Sequence, residues 1–339
     1  MTFVNFTVTT SSLENQCLNI YLQNERPDID EQRKDLLKLQ GEKMAQLHDL
    51  EEALLTELSA ADEGTSILEN KKLIGTLETL KKESAQIKEE MAKAEDTLLQ
   101  IEEVLDIYRP LASMSSLIFF CLQSMGKIHY LYQYSLLQFM DTMNQVLEHS
   151  EALKTLPIKK HTERLEVITT ELFQNFNLNI SQGLLEMHQM LFSMRLSQIR
   201  LKYDNDCAEI FNVFLNPTPR IDPQELSKEN LLNGRFLSNR QVAMIEELDR
   251  SGIFNNIVSS MSDDPEPWIK FMEHQTPENH VVEPWFNGSD SSVNNEMARG
   301  LKCMTIIKIL RPDRLNKSSQ LFCEKTLTPK AMNFGQVDL

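Results

Sequence analysis

The sequence predicts a mainly α fold, built from an antiparallel coiled-coil hairpin and a further helical region, with one short strand at the amino terminus. Three observations lead to this fold class. Ten positions from Leu73 to Leu105 alternate in steps of four and three residues, and all but Ser84 are apolar. A weaker leucine repeat precedes them and is separated from them by a small polar turn. Several amphipathic segments with helical spacing then continue almost to the carboxyl end.

The stripe from Leu73 to Leu105 is typical of a coiled coil. A repeat of 3.5 residues drifts around an ideal α-helix, so the helix supercoils around a partner to keep the stripe buried. At ~1.5 Å per residue this helix is roughly 50 Å long, which is longer than a globular core needs. A rod transmits position or force, whereas catalysis needs converging side chains. The apolar seam positions predicted here are Leu73, Leu77, Leu80, Ile87, Met91, Leu98, Ile101 and Leu105.

The partner helix is predicted at residues 31–58. Gln40 and Lys43 occupy two of its seam positions, which makes this repeat the weaker one. Residues 59–66, which include Gly64, suit a turn between the two helices. Two separate helices on the surface of one globular body are the alternative to a hairpin. The apolar seam positions of the partner helix are Leu36, Leu47, Leu50 and Leu54.

Prolines and caps mark the remaining predicted elements. Pro27 lies just ahead of the first long helix, and Pro110 is predicted to close the second, because proline breaks a helix interior. Ser238 and Gln241 match a capping box, and Pro312 is predicted to open the last helix. In chain order we expect a strand at 3–9 and helices at 13–22, 31–58, 73–105, 111–149, 162–176, 187–201, 205–215, 242–248, 296–310 and 312–326. Polar or loop-rich segments are expected at 216–236 and 263–295, the latter with Trp268 and Trp285 as packing anchors.

The composition narrows the function classes. The formal net charge of −16 argues against a general nucleic-acid binder and disfavours docking on anionic membranes. Five cysteines, far apart in the chain, form neither a disulfide framework nor a zinc pattern and are typical of a reducing compartment. The most apolar stretch, 117–147, is interrupted by polar residues, so we expect a buried helix and no membrane span. The amino terminus shows no signal peptide.

No catalytic motif is found in the sequence. A phosphate-binding loop needs two spaced glycines followed by lysine and a hydroxyl residue, and neither Gly41 nor Gly126 fits. His274 and His280 are the closest histidine pair, but they lack the spacing of metal ligands. The sequence therefore predicts no catalytic, cofactor-binding or metal site.

The most suggestive charged cluster surrounds Pro312. Arg311, Asp313 and Arg314 are a candidate contact between modules, in which the arginines would clamp a phosphate or a carboxylate. The alternative is a helix junction, in which Asp313 lies near a new helix amino terminus and stabilises its dipole.

A set of short motifs stands out along the chain: Val4-Asn-Phe-Thr-Val-Thr9, Ser12-Leu-Glu-Asn-Gln-Cys-Leu18, Glu25-Arg-Pro-Asp-Ile-Asp30, Lys34-Asp-Leu-Leu-Lys-Leu-Gln-Gly-Glu42, Leu77-Glu-Thr-Leu-Lys-Lys-Glu83, His129-Tyr-Leu-Tyr-Gln-Tyr-Ser-Leu136 and Ile309-Leu-Arg-Pro-Asp-Arg-Leu315. In this order they resemble the dynein heavy chain, and the cytoplasmic type more than the axonemal one. The resemblance is dense before about residue 140, thin from 205 to 295, and recovers near 305.

The resemblance implies a place within a much larger motor, whose ring has six AAA+ modules. By resemblance, 1–26 is the end of the fifth module and 27–110 is the buttress coiled coil that leans on the stalk. Residues 111–215 are then the helical lid region, and 216–339 a connector into the sixth module. No Walker motif is present, so no catalytic residue is carried over, and ATP and magnesium belong to the parent protein.

The implied function is mechanical coupling between the AAA+ ring and the stalk during ATP-driven, minus-end-directed movement on microtubules. The parent is an ATPase of the cytoplasm and cytoskeleton. Implied partners are the remainder of the heavy chain, the microtubule and, through the parent tail, the intermediate and light intermediate chains. A free-standing coiled-coil adaptor is the alternative, and an enzyme with an unrecognised site is a third hypothesis.

Overall fold

The computed structural model describes residues 8–61, 71–157, 160–216, 237–254, 256–280 and 293–327. Within these ranges the chain forms thirteen α-helices and two 3-10 turns, without a β-strand, which confirms the mainly α class. The helices are α1 (Thr10–Glu25), α2 (Pro27–Ala61), α3 (Lys71–Met125), α4 (Leu136–His149), α5 (Glu151–Thr155), α6 (His161–Ser181), α7 (Glu186–Arg200), α8 (Asn205–Leu215), α9 (Asn239–Arg250), α10 (Ile257–Asp263), α11 (Glu266–Glu273), α12 (Val293–Leu310) and α13 (Leu315–Thr326). The 3-10 turns are Pro277–Asn279 and Pro312–Arg314. The predicted strand at 3–9 lies outside the described residues except for its last two.

Two compact units divide the chain. The first comprises Met1–Ser116 and Lys154–Leu165, and the second comprises Leu117–Leu153 and Glu166–Leu339. The four domains predicted from the sequence are not tested by this division, and their boundaries stay predictions.

The first unit begins with α1, which is capped by Thr9. The hydroxyl of Thr9 accepts a hydrogen bond from the backbone N–H of Ser12 at 3.2 Å. Leu13, Cys17 and Tyr21 of α1 are fully buried, because they recur every four residues on one face of the helix. A single residue separates α1 from α2, which opens at Pro27, the residue type that suits a first helical turn.

Proline does not end α3. The sequence predicts that Pro110 closes this helix, and the prediction is wrong, because α3 continues to Met125 with the proline inside it. Leu105, Tyr108 and Ala112 stay buried across this point, whereas Pro110 lies on the exposed face. Burial of that face outweighs the roughly 3 kcal/mol that an interior proline costs. Tertiary packing therefore overrides the local signal.

The chain turns between α3 and α4, where the sequence predicts one continuous helix from 111 to 149. Gly126 follows α3 immediately, and a Cβ at this position would lie 2.9 Å from the carbonyl oxygen of Tyr132. Ser135 then caps α4 by accepting a hydrogen bond from the backbone N–H of Gln138 at 3.1 Å. The prediction of one continuous helix is therefore wrong. The backbone of Tyr132 folds back against Gly126, and this contact depends on the fold and not on a local helix signal.

The second unit has a hydrophobic core to which α8, α9, α12 and α13 contribute. Phe211 and Phe322 meet edge to face in this core, with ring centroids 5.8 Å apart. The capping box of Ser238 and Gln241 is present at the start of α9, which confirms that prediction. The fully buried core residues include Cys207, Val242, Ile245, Phe254, Ile257, Met261, Leu301, Met304 and Ile307.

One predicted loop contains helices. Residues 263–295 are expected to be loop-rich, but α11 spans Glu266–Glu273, and the expectation is wrong there. Trp268 of this helix is 1% exposed and donates its indole N–H to Ser260 Oγ at 3.1 Å, which confirms it as a packing anchor. Trp285, the second predicted anchor, lies outside the described residues.

One stretch of α3, Lys81–Met125, is long and apolar enough to cross a membrane by length and composition alone. More than half of its most apolar part is buried inside the protein. Because the core helix of a soluble protein meets the same criterion, the stretch is weak evidence for a membrane span.

Candidate functional site along the helices α2 and α3

Helix α2 buries one narrow stripe of side chains. Half-buried residues recur along it in alternating steps of three and four, and the residues between them are exposed. Three of the half-buried residues are polar, which leaves this stripe less apolar than that of an ordinary amphipathic helix. The six half-buried residues of the stripe are Arg33, Leu36, Gln40, Lys43, Leu47 and Leu50. The side chain of Leu54, also predicted on this stripe, lies outside the described residues.

Helix α3 carries a more apolar stripe with the same spacing. Ile87, Ala94, Ile101 and Leu105 are buried, and Ser84, Met91 and Leu98 are half-buried. Leu99, one position off the stripe, is 62% exposed. The described side chains of α3 therefore follow the 3.5-residue period, and the side chains of Leu73, Leu77 and Leu80 lie outside the described residues.

An ion pair beside the stripes joins the two helices. Lys43 Nζ of α2 lies 2.8 Å from Glu90 Oε2 of α3. Hydrogen bonds from Lys43 and Gln86 lower the pKa of Glu90, so this carboxylate stays charged at neutral pH. A surface groove beside the pair is lined by residues of both helices: Lys43, Gln46, Asp49, Leu50, Glu83, Gln86, Ile87 and Glu90.

A group of polar contacts joins three helices at the other end of this region. We call it the base cluster and define it as Tyr21, Glu25, Tyr108, Ser115, His161 and Arg164. Ser115 donates its hydroxyl proton to the carbonyl of Leu111 at 2.8 Å, so it accepts a hydrogen bond from the Tyr21 hydroxyl at 2.6 Å. The hydroxyl of Tyr108 lies 3.4 Å from His161 Nδ1.

A buried ion pair is the strongest contact of the base cluster. Arg164 donates from Nε and Nη2 to the two carboxylate oxygens of Glu25, at 2.6 and 2.8 Å. Its Nη1 donates to the carbonyl of Leu156 at 2.7 Å. The Glu25 side chain is 3% exposed and that of Arg164 is 10% exposed. The two residues are 139 positions apart, and no local motif in the sequence pairs them.

The charged cluster at Pro312 is engaged within the second unit. Arg311 Nε donates to Asp313 Oδ1 at 3.0 Å, and its Nη1 donates to the carbonyls of Met272 and His274. Arg314 forms a two-point ion pair with Glu278. Burial raises the pKa of Glu278, but the hydrogen bond from Arg314, a backbone hydrogen bond and the charges of Arg314 and Lys317 together leave the pKa below its usual value. These contacts join the turn at Pro312 to the α11 region, and a contact with another module stays a prediction.

The chemistry of the described residues is that of packing and ion pairing. No group of three or more potential metal ligands occurs among them. Burial raises the pKa of Cys17 to about 12 and that of Cys121 to about 11, so these thiols are poor nucleophiles at neutral pH. His274 and His280 stack with ring centroids 4.8 Å apart.

Comparisons with known proteins find similarity to dynein heavy chains. A family model described as the ATP-binding dynein motor region matches residues 1–87. A cytoplasmic dynein heavy chain of Paramecium tetraurelia is 35% identical over 348 residues, which cover 100% of this chain and 8% of that protein. One of Drosophila melanogaster is 36% identical over 324 residues, covering 93% of this chain and 7% of that protein. An axonemal dynein heavy chain of Mus musculus is 28% identical over 338 residues, covering 99% of this chain and 7% of that protein.

These matches define the class of the chain as a dynein heavy chain protein, of which residues 1–87 match the motor region. The chain belongs to the dynein heavy chain family, and it matches cytoplasmic members over its full length at 30–35% identity. It spans less than a tenth of the length of the curated relatives described above.

Proposed function

We propose that this chain is a mechanical segment of a cytoplasmic, microtubule-associated dynein motor. In this proposal α2 and α3 form an antiparallel coiled coil that couples the AAA+ ring to the stalk. The observation that carries the proposal is the 3.5-residue stripe on both helices, joined by Lys43 and Glu90, in a chain of the dynein heavy chain family. The alternative of a free-standing adaptor has no comparable support.

The chain length supports an antiparallel hairpin. Lys43 lies 18 residues before the end of α2, and Glu90 lies 19 residues after the start of α3. If the helices ran parallel with these residues opposite each other, the two ends would be roughly 55 Å apart at ~1.5 Å per residue. Nine residues connect them, and they span at most about 32 Å when fully extended. Only the antiparallel arrangement brings the ends within reach.

The uneven stripes suit a helix pair that moves. The α3 stripe is mostly apolar, whereas Arg33, Gln40 and Lys43 interrupt the α2 stripe. Polar seam positions reduce the free energy of pairing, so the pair can change its packing at low cost. Coupling between distant sites needs an element with two arrangements that both sites bias, and we assign this role to the helix pair.

The remaining parts of the motor lie outside this segment. ATP and magnesium act in other modules of the heavy chain, and the microtubule contacts the motor through the stalk. Intermediate and light intermediate chains bind through the tail. On this proposal residues 1–26 end the fifth module, 27–110 form the buttress, 111–215 the lid region and 216–339 the connector to the sixth module.

Exposed apolar side chains in the second unit support a place in a larger assembly. Tyr130 is 75% exposed, Leu131 is 62% exposed and Met187 is 76% exposed. The loop that carries Tyr130 and Leu131 contacts the start of α7, because the Tyr132 hydroxyl accepts a hydrogen bond from the backbone N–H of Leu185 at 3.0 Å. Where large exposed apolar side chains lie close together, they are typical of surfaces that pack against other proteins.

The proposal is tested in the complete heavy chain that contains this segment. Ile87→Glu places a charge on the buried stripe, and Leu99→Glu places the same charge on the exposed face of the same helix. We expect Ile87→Glu to abolish the effect of nucleotide on microtubule affinity while basal ATP hydrolysis continues, and Leu99→Glu to behave as wild type. Microtubule co-sedimentation with and without ATP measures both. A motor with Ile87→Glu that keeps its nucleotide response would contradict the coupling role.

A further inference from the structure

The base cluster lies where the chain changes direction between α1 and α2. Glu25 is the last residue of α1 and Pro27 the first of α2, so the Glu25 carboxylate lies at the junction itself. The intervening Arg26 has φ −139°, outside the helical range, so the two helices are separate elements. Whatever holds Glu25 therefore holds the start of the helix pair.

We propose that Arg164 is the positioning residue that fixes the direction of the helix pair relative to the start of α6. We call the contact between Glu25 and Arg164 the joint. The inference rests on the proposed function, because the joint is the contact through which the helix pair would receive movement. All residues of the joint belong to the first unit.

The geometry of Arg164 is that of a rigid connector. Three of its nitrogens are in use, two on Glu25 and one on the carbonyl of Leu156, so the guanidinium is held in its plane from both sides. The hydrogen bond to Glu25 raises the pKa of Arg164, which therefore stays charged. Lysine offers one nitrogen on a flexible stem and cannot reproduce this two-point contact.

The base cluster closes a triangle of helices. Tyr21 and Ser115 join α1 to α3, Tyr108 and His161 join α3 to α6, and Glu25 and Arg164 join α1 to α6. Because each of the three helices is joined to the other two, none can turn without breaking a contact. Of the two sides that reach α6, the Arg164 side is the shorter, at 2.6 Å against 3.4 Å. Its loss leaves only the longer contact between Tyr108 and His161 on α6, so the direction of the helix pair is held less tightly.

A distance measurement on the purified chain tests the proposal. Spin labels are placed at Lys88→Cys on α3 and Thr162→Cys on α6, two exposed positions of the first unit, with Cys303 replaced by serine because it is the cysteine that is not buried. We expect one narrow distance distribution for the wild-type background. Arg164→Lys should lose the narrow peak and give a broad distribution, and Arg164→Ala should give a broader one still.

The matched control is Arg109→Ala, which removes an arginine from an exposed ion pair on α3. Arg109 lies 2.8 Å from Asp106, with side chains 44% and 62% exposed. This variant should leave the distribution unchanged. Glu25→Gln keeps the shape of the partner without its charge, and it should broaden the distribution even if Arg164→Ala does not fold. A narrow peak in Arg164→Lys and Glu25→Gln, with wild-type helix content by circular dichroism, would overturn the proposal.

A second measurement separates this inference from the proposed function. Arg164→Lys is introduced into the complete motor, where the effect of nucleotide on microtubule affinity should decrease while ATP hydrolysis continues. If the chain alone broadens but the motor responds normally, the joint exists and the coupling function is wrong. If neither changes, the joint itself is wrong.

Discussion

The helix pair and the core of the second unit are both helical, but they bury their side chains differently. Along α2 the stripe residues are only half-buried, and three of six are polar. In the second unit Cys207, Leu301 and Ile307 are fully buried among other apolar residues. The pair therefore has one narrow contact and a low free energy of association, whereas the core has many contacts. We infer that the helix pair is a part that changes shape and that the core of the second unit is a part that keeps its shape.

The strongest test of this comparison is a large cavity in the core. Phe211→Ala should lower the free energy of unfolding of the second unit by about 3–5 kcal/mol, because Phe211 is 2% exposed and packs against Phe322. Urea unfolding followed by circular dichroism measures the loss. Phe120, which is only half-buried on α3, provides a milder control as Phe120→Ala. Equal losses for the two variants would contradict the core assigned to Phe211.

A truncation on the stripe of α3 should cost less. Ile101 is 6% exposed, and Ile101→Ala should destabilise the helix pair by about 2 kcal/mol, the lower end for such substitutions, because the stripe of the partner helix α2 is only half-buried. Leu99→Ala on the exposed face should change stability by less than about 0.5 kcal/mol. Hydrogen exchange of α2 and α3 amides distinguishes this local loosening from unfolding of the whole chain. Faster hydrogen exchange of the α2 and α3 amides in Leu99→Ala would contradict the assignment of the buried stripe.

Replacing polar stripe residues of α2 with leucine should make the helix pair more apolar and more stable, like the core of the second unit. Gln40→Leu with Lys43→Leu should stabilise the pair by about 1 kcal/mol per leucine, because both positions are half-buried. The melting temperature of the pair, followed by circular dichroism, should rise, and motility of the reconstituted motor should decrease as the pair stiffens. Unaffected motility with a raised melting temperature would show that the polar positions are not needed for movement.

The smallest expected effect is a pH dependence in the second unit. The pKa of Glu278 in the folded state lies below its ordinary value of 4.5, the net result of burial and the Arg314 contact. A lowered folded pKa stabilises the fold fully above the unfolded pKa, and the contribution is lost as the pH falls through the folded pKa. Wild type should therefore lose more stability than Glu278→Gln between about pH 5 and pH 3 in urea unfolding. Parallel pH profiles for the two proteins would mean that the ion pair of Glu278 and Arg314 contributes nothing to stability.

Local signals in the sequence are sufficient for many of the helices. The step pattern from Leu73 to Leu105 predicts one long helix, and α3 contains it. The capping box at Ser238 places the start of α9 correctly, because its hydrogen bonds join residues three apart. The predicted helix at 205–215 has the bounds of α8. These features depend on neighbours in the chain, so the sequence contains the whole signal.

Errors occur where distant contacts decide. Pro110 is a helix breaker by itself, yet α3 continues because its buried face continues on both sides. Gly126 ends α3 because the chain returns to within contact of it at Tyr132. A residue's local preference is worth a few kcal/mol at most, and burial of one large side chain is of the same order. The outcome then depends on the fold.

The sequence by itself determined the α class, the repeat that predicts a helix pair and the membership in the dynein heavy chain family. Only the tertiary structure decided where the ion pairs lie. Lys43 meets Glu90, and Arg164 meets Glu25 across 139 positions. The physical reason is that a charge carries no local mark of its partner, because Coulomb attraction depends on distance in space and not on distance along the chain.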